Sequence, residues 1–247
     1  MANTLNVLAA GSLRKVWLPM MATFTAQSGI HVTSNFGPAG LLRQRIEQGE
    51  KVDLFASANT AHPQTLLDSG KALRVESFAS NSLCLTVSKA AIAARFGAER
   101  SPDWLVLLND VSLRVATSTP LADPSGDYTW QLFDKIEQAQ SGAGELLRKR
   151  AMMLVGGPQS SPVPTGELAA AWLIRTGQCD LFIGYASYAP LLRQQQDLQV
   201  IDIPLEQNIR AEYALALCHS RAESLADFIL SALGQDYLSQ AGFASVT

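Results

Sequence analysis

The sequence predicts an α/β protein of two similar lobes, each a mostly parallel sheet flanked by helices, and three observations lead there. A strand-length apolar run, a small-residue loop and a helical period recur as one unit along the first third. The same unit returns in the middle with longer loops. Two further apolar runs, Ser82 to Val87 and Ala211 to Leu217, break the pattern, because neither is followed by such a loop and helix. Strands that alternate with helices form βα units, and hence parallel sheets.

In chain order, Leu5 to Ala10 precedes Gly11-Ser12 and a helix from about Leu13. His31 to Phe36 precedes Gly37-Pro38-Ala39-Gly40 and a helix through Gln48, with Leu41, Leu42, Arg45 and Ile46 at helical spacing. Asp53 to Ala56 precedes Ser57-Ala58-Asn59 and a helix through Ser69. Gly29, Gly49 and Gly70 stand where helix C-caps are expected. In the middle, Leu113 to Ala116 leads through a Pro/Gly/Asp-rich stretch into a helix from about Asp127. Met152 to Val155 leads through Gly156 to Thr165 into a helix through Thr176, and Asp180 to Gly184 into a short helix near Ala189. The two pattern-breaking strands are expected to cross between lobes, which places residues 1–81 and 212–247 in the first and 82–211 in the second. Open α/β sheets bind ligands outside the carboxyl ends of their strands, so function is expected in the cleft between the lobes.

Composition narrows the function. The 247 residues carry 19 basic against 22 acidic side chains, a net charge of −3, with 17% charged and 47% apolar. No Lys/Arg run exceeds Arg148 to Arg150, so there is no electrostatic footprint for nucleic acid or an anionic membrane. No apolar stretch approaches the roughly 20 residues of a membrane span. Cys84, Cys179 and Cys218 are too widely spaced for a CxxC motif. No GxSxG elbow, phosphate-binding glycine motif or HExxH pair occurs, and His31, His62 and His219 read as surface or capping residues. The chain therefore reads as a binding protein, with no enzyme activity, no resident cofactor and no cation site.

Five loops are suited to anions: Gly11-Ser12, Pro38-Ala39-Gly40, Ser57-Ala58-Asn59, Pro124-Ser125-Gly126 and Thr165-Gly166-Glu167. Each opens a helix, where unsatisfied N–H groups and the helix dipole favour negative charge. Any one of them alone reads as an ordinary N-cap; their joint placement at strand-to-helix corners points to an anion. No loop tip carries Lys or Arg, and Arg14, Lys15 and Arg43 fall inside the helices, so the anion is expected to be held by neutral dipoles. Asp123 and Asp127 flank one loop and read as turn and N-cap residues, and Tyr185 offers a phenol at a strand tip.

Val7 to Leu13 (VLAAGSL), Phe36 to Gly49 (FGPAGLLRQRIEQG), Asp53 to Ala58 (DLFASA), Phe182 to Tyr185 (FIGY) and Ala241-Gly242-Phe243 together resemble the molybdate-binding periplasmic proteins of ABC transporters. The resemblance runs over nearly the whole chain. It implies a type II periplasmic-binding-protein-like fold, two lobes joined by crossover strands, closing over molybdate or tungstate. Carried across, it assigns the ligand to Ser12 by hydroxyl and N–H, to Ala39 or Gly40 by N–H alone, to the Ser125 and Glu167 N–H groups, and to the Tyr185 hydroxyl; Ser57 joins them as a loop donor. It also implies a monomer that serves a membrane permease from the periplasm, its secretion signal removed. The alternatives are a binding protein for sulfate or another small anion, and a cytoplasmic ligand-sensing domain.

Overall fold

The computed structural model describes residues 4–97 and 102–246. The chain divides into two compact units: one runs to Asn81 and resumes at Arg210, and the other is Ser82–Ile209.

The first unit begins with β1 (Thr4–Ala10), α1 (Arg14–Ser28), β2 (His31–Gly37), α2 (Ala39–Glu47), β3 (Leu54–Ser57), α3 (Ala61–Asp68) and β4 (Arg74–Asn81). In α1, Val16, Trp17, Met20, Met21 and Phe24 form the buried stripe that a helical period requires, and Gly29 ends the helix in the left-handed conformation. The second unit contains β5 (Leu83–Ser88), α4 (Lys89–Phe96), α5 (Trp104–Asn109), β6 (Val115–Ser118), α6 (Pro124–Ala139), α7 (Ala143–Arg150) and β7 (Met152–Val155). It continues with α8 (Ala169–Arg175), β8 (Leu181–Tyr185), α9 (Ala189–Leu192) and β9 (Leu198–Asp202). The chain returns to the first unit for β10 (Ala211–Leu217), α10 (Glu223–Leu230) and α11 (Ala232–Gln240).

Both sheets are five-stranded and mixed, ordered β2-β1-β3-β10-β4 and β7-β6-β8-β5-β9. In the first, β2, β1 and β3 are parallel while β10 runs antiparallel to β3 and β4. In the second, β7, β6 and β8 are parallel while β5 runs antiparallel to β8 and β9. The two pattern-breaking runs are therefore interior strands, each inside one sheet, and the chain passes between units at Asn81–Ser82 and Ile209–Arg210. Their largely apolar character follows from burial on both faces, with Thr86 buried in β5 and Glu212 only partly buried in β10. Helix α4 follows β5 directly, its start capped by Ser88, whose hydroxyl accepts the Ala91 N–H. A bidentate pair ties the first unit together: Asp53, buried before β3, accepts Arg221 Nε at 2.6 Å, Arg221 Nη2 at 2.7 Å and the Asn6 N–H at 2.7 Å.

Candidate functional site

In each sheet the strand order reverses around one strand: β1 connects to β2 on one side and β2 to β3 on the other, and β6, β7 and β8 repeat this. Such reversals leave room for a ligand at the carboxyl ends of the strands.

In the first unit, the register Ala10↔Gly37 and Ala9↔Ala56 sets the loops after β1, β2 and β3 side by side. Ser12 stands in a 3-10 turn, Gly11–Leu13, between β1 and α1, and its hydroxyl lies 2.9 Å from the Tyr213 hydroxyl. Ala39 and Gly40 are buried and open α2, whose N-cap, Pro38, supplies no side-chain acceptor. The first helical bond is Leu42 N–H to Pro38 O at 3.0 Å, so the Ala39, Gly40 and Leu41 N–H groups precede any helical carbonyl partner. Ser57 is fully buried; its hydroxyl donates to Asn59 Oδ1 at 3.1 Å and accepts the Asn59 N–H at 3.2 Å. Asn59 Oδ1 also accepts the His62 N–H. Ser57 thus shapes its corner with the one proton its hydroxyl has to give.

Two of the basic side chains nearby, Arg14 and Arg43, have partners of their own. Arg14 lies 4.5 Å from the Phe36 ring centroid, and Arg43 sits 3.4 Å from Glu47 and 3.3 Å from His62 Nδ1. His62, expected as a surface or capping residue, is buried, because α2 packs on α3 there. Burial, and then the Arg43 charge, lower its pKa to about 4, so it is neutral at pH 7. His219 caps as expected, its ring accepting the Arg221 N–H.

In the second unit, Ser125 is the second residue of α6 and is buried. Its N–H, which the resemblance assigns to ligand, donates to Asp123 Oδ1 at 3.1 Å. The Ser118 hydroxyl also bonds to the Asp123 carboxylate, yet burial still raises its pKa to about 6, with Asp127 adding repulsion. Asp127, which accepts the Leu121 N–H at 2.8 Å, is likewise raised by burial. This helix start therefore carries two carboxylates of its own, and among the described residues neither is in a salt bridge with a basic side chain. The packing is close: a Cβ on Gly126 would lie 2.5 Å from Pro120 N, and one on Gly156 would lie 2.5 Å from Asp123 Oδ2.

Glu167 is exposed and lies two residues before α8, not at its start. Its N–H donates to Pro164 O at 3.1 Å, because Pro164 to Glu167 closes a turn before the helix can begin. Tyr185 is buried and ends β8, opposite Leu83 in the register. Sequence reasoning read Asp123 as a cap without drawing the consequence that a cap carboxylate takes up the N–H of its own helix. It read Tyr213 only as part of a strand. Among the described residues no cluster of His, Cys, Asp or Glu could hold a metal ion, and no helix is long and apolar enough to cross a membrane.

Residues 5–244 match the family described as bacterial extracellular solute-binding protein. An uncharacterized protein, PM1146, from Pasteurella multocida (strain Pm70) is 47% identical over 240 residues, 97% of this chain and 98% of its own. The molybdate-binding protein ModA of Escherichia coli (strain K12) is 26% identical over 216 residues, 86% of this chain and 76% of its own. Among solved structures, the sulfate-binding protein SubI from Mycobacterium tuberculosis H37Rv superposes with a TM-score of 0.75 at 18% identity, covering 99% of this chain and 87% of its own. The type II periplasmic-binding-protein-like fold is shared with such neighbours.

Proposed function

This chain belongs to the bacterial extracellular solute-binding proteins, and on that premise we propose that it captures a small tetrahedral oxyanion, molybdate or tungstate, and hands it to the permease of an ABC transporter. In this reading it works in the periplasm, as a monomer, by binding and not by catalysis. The observation that carries the reading is the set of uncharged donors at the carboxyl edge of β1 and β2: the Ser12 hydroxyl and the Ala39, Gly40 and Leu41 N–H groups. Helix-start N–H groups are suited to a small anion, and each charge-assisted bond is worth about 1.5 to 3 kcal/mol. The 26% identity to a molybdate-binding protein supports the choice of anion.

The test is native mass spectrometry of ligand-stripped protein with molybdate, tungstate, sulfate and phosphate, followed by calorimetry. At least a tenfold preference for molybdate or tungstate is expected; protein that binds none of the four refutes the reading.

One observation favours a second reading, a different small anion. Asp123 holds the Ser125 N–H and presents a carboxylate in its place, which suits an anion that can itself donate a hydrogen bond. Tighter binding of hydrogen phosphate than of molybdate at pH 7, reversed by Asp123→Asn, would decide for it.

A further inference from the structure

Resting on the reading that Ser12 binds the anion, we propose that Tyr213 is a positioning residue that turns the Ser12 hydroxyl proton toward that anion. Ser12 Oγ and Tyr213 Oη are 2.9 Å apart, and each oxygen carries one proton. Asn81 Nδ2 donates to the same phenol oxygen across a longer 3.5 Å. A phenol oxygen that accepts from the amide still has its own proton to give, and in the proposed arrangement that proton goes to Ser12 Oγ. The serine proton then points away from Tyr213, which leaves it for the ligand. The order is amide to phenol to serine to anion, and a hydroxyl that accepts one hydrogen bond donates a stronger one.

The surroundings hold this arrangement still. The Tyr213 residue is fully buried on β10. Its ring meets Phe78 at 6.2 Å and 78°, and Phe243 at 5.3 Å and 83°, both edge-on. Phe243 is kept in place by its neighbour: Ala244 pairs with Ser80 through backbone bonds of 2.7 and 2.8 Å. Asn81 is buried at the end of β4. A phenylalanine would fill the same aromatic clamp, so packing alone does not account for the hydroxyl. Ser12, by contrast, is only partly buried.

The experiment is a double-mutant cycle read by calorimetry with molybdate, tungstate, sulfate and phosphate as probes. Ser12→Ala should weaken the bound anion about ten- to a hundredfold, and Tyr213→Phe about three- to tenfold, the size of one neutral hydrogen bond. In the double variant, affinity should equal that of Ser12→Ala alone within about twofold, because Tyr213 has nothing left to act through. A merely structural role would add to the serine loss, and such additivity overturns the proposal. Tyr213→Phe binding as the parent does, while Ser12→Ala weakens, overturns it and leaves the anion reading intact. Ser12→Ala binding as the parent does, or a parent that binds no probe, overturns the anion reading at this residue and the proposal with it. A second substitution fixes the direction without removing the hydroxyl: 3-fluorotyrosine at position 213 is a stronger donor and should tighten binding, whereas weaker binding would mean that the phenol accepts from Ser12 and would refute the relay.

Discussion

Replacing Asp123 with Asn should stabilise the protein at neutral pH and leave it unchanged in acid. Asp123 caps α6 and accepts the Ser125 N–H, and Asn caps as well as Asp, so the helix start survives the change. Burial raises the Asp123 pKa from 3.8 to about 6, so the folded chain holds a proton there that the unfolded chain has already released. Between about pH 4 and 6 the folded state binds more protons, and stability falls as pH rises. A shift of that size corresponds to about 3 kcal/mol in full, which partial solvent contact reduces to about 1 to 2 kcal/mol. The variant should therefore melt roughly 3 to 8 °C above the parent at pH 7.5 and level with it near pH 4. Scanning calorimetry at four values from pH 4.5 to 7.5 measures the gap. A gap that stays constant with pH, or a variant less stable than the parent at pH 7.5, would refute the reasoning.

His62 carries the opposite slope: with its pKa lowered from 6.5 to about 4, stability is complete above pH 6.5 and is lost as pH falls toward 4, and His62→Gln should remove about 1 to 2 kcal/mol of that loss in the same scans. Asp53→Ala leaves the Asn6 N–H without its acceptor, while the half-exposed Arg221 guanidinium turns to water, and should cost about 1 to 3 kcal/mol in urea unfolding. Arg221→Ala should cost less than Asp53→Ala, because Asp53 Oδ2 still accepts the Asn6 N–H, and equal costs would assign the effect to the ion pair alone. Gly126→Ala drives a Cβ to within 2.7 Å of Ser118 O and 2.5 Å of Pro120 N, and should destabilise by about 1 to 3 kcal/mol; an unchanged melting temperature would show that the β6–α6 loop yields.

The repeating βα units could be read in the sequence because they rest on local signals. The apolar runs after which Ser12 and Ala39 follow, and the glycine that ends α1, all act within a few residues. The places of β5 and β10 could not be read in this way. A run buried on both faces looks the same whether it links two sheets or lies inside one, and only its hydrogen-bond partners decide. Helix starts were displaced where a turn competed for the same N–H, as Pro164 does for Glu167. Ser12, Ala39 and Gly40 were legible as candidates because a helix-start donor is a local property. The Tyr213 hydroxyl could not, since its meeting with Ser12 joins residues 201 apart in the chain.

The position of β10 has a consequence for how the chain folds. It lies between β3 and β4, yet in sequence it comes after the whole of Ser82–Ile209. During synthesis the first unit has β1 to β4 available but no strand to join β3 to β4, so that edge of β3 waits, unpaired and apolar, for the C-terminal segment. The second unit is contiguous and can form as soon as its own residues are complete. Its collapse brings the ends of the long insertion together and so shortens the loop that β10 must close, which lowers the entropic barrier to the last pairing. Refolding should show the second unit's signal first, with closure of the first sheet as the slower step.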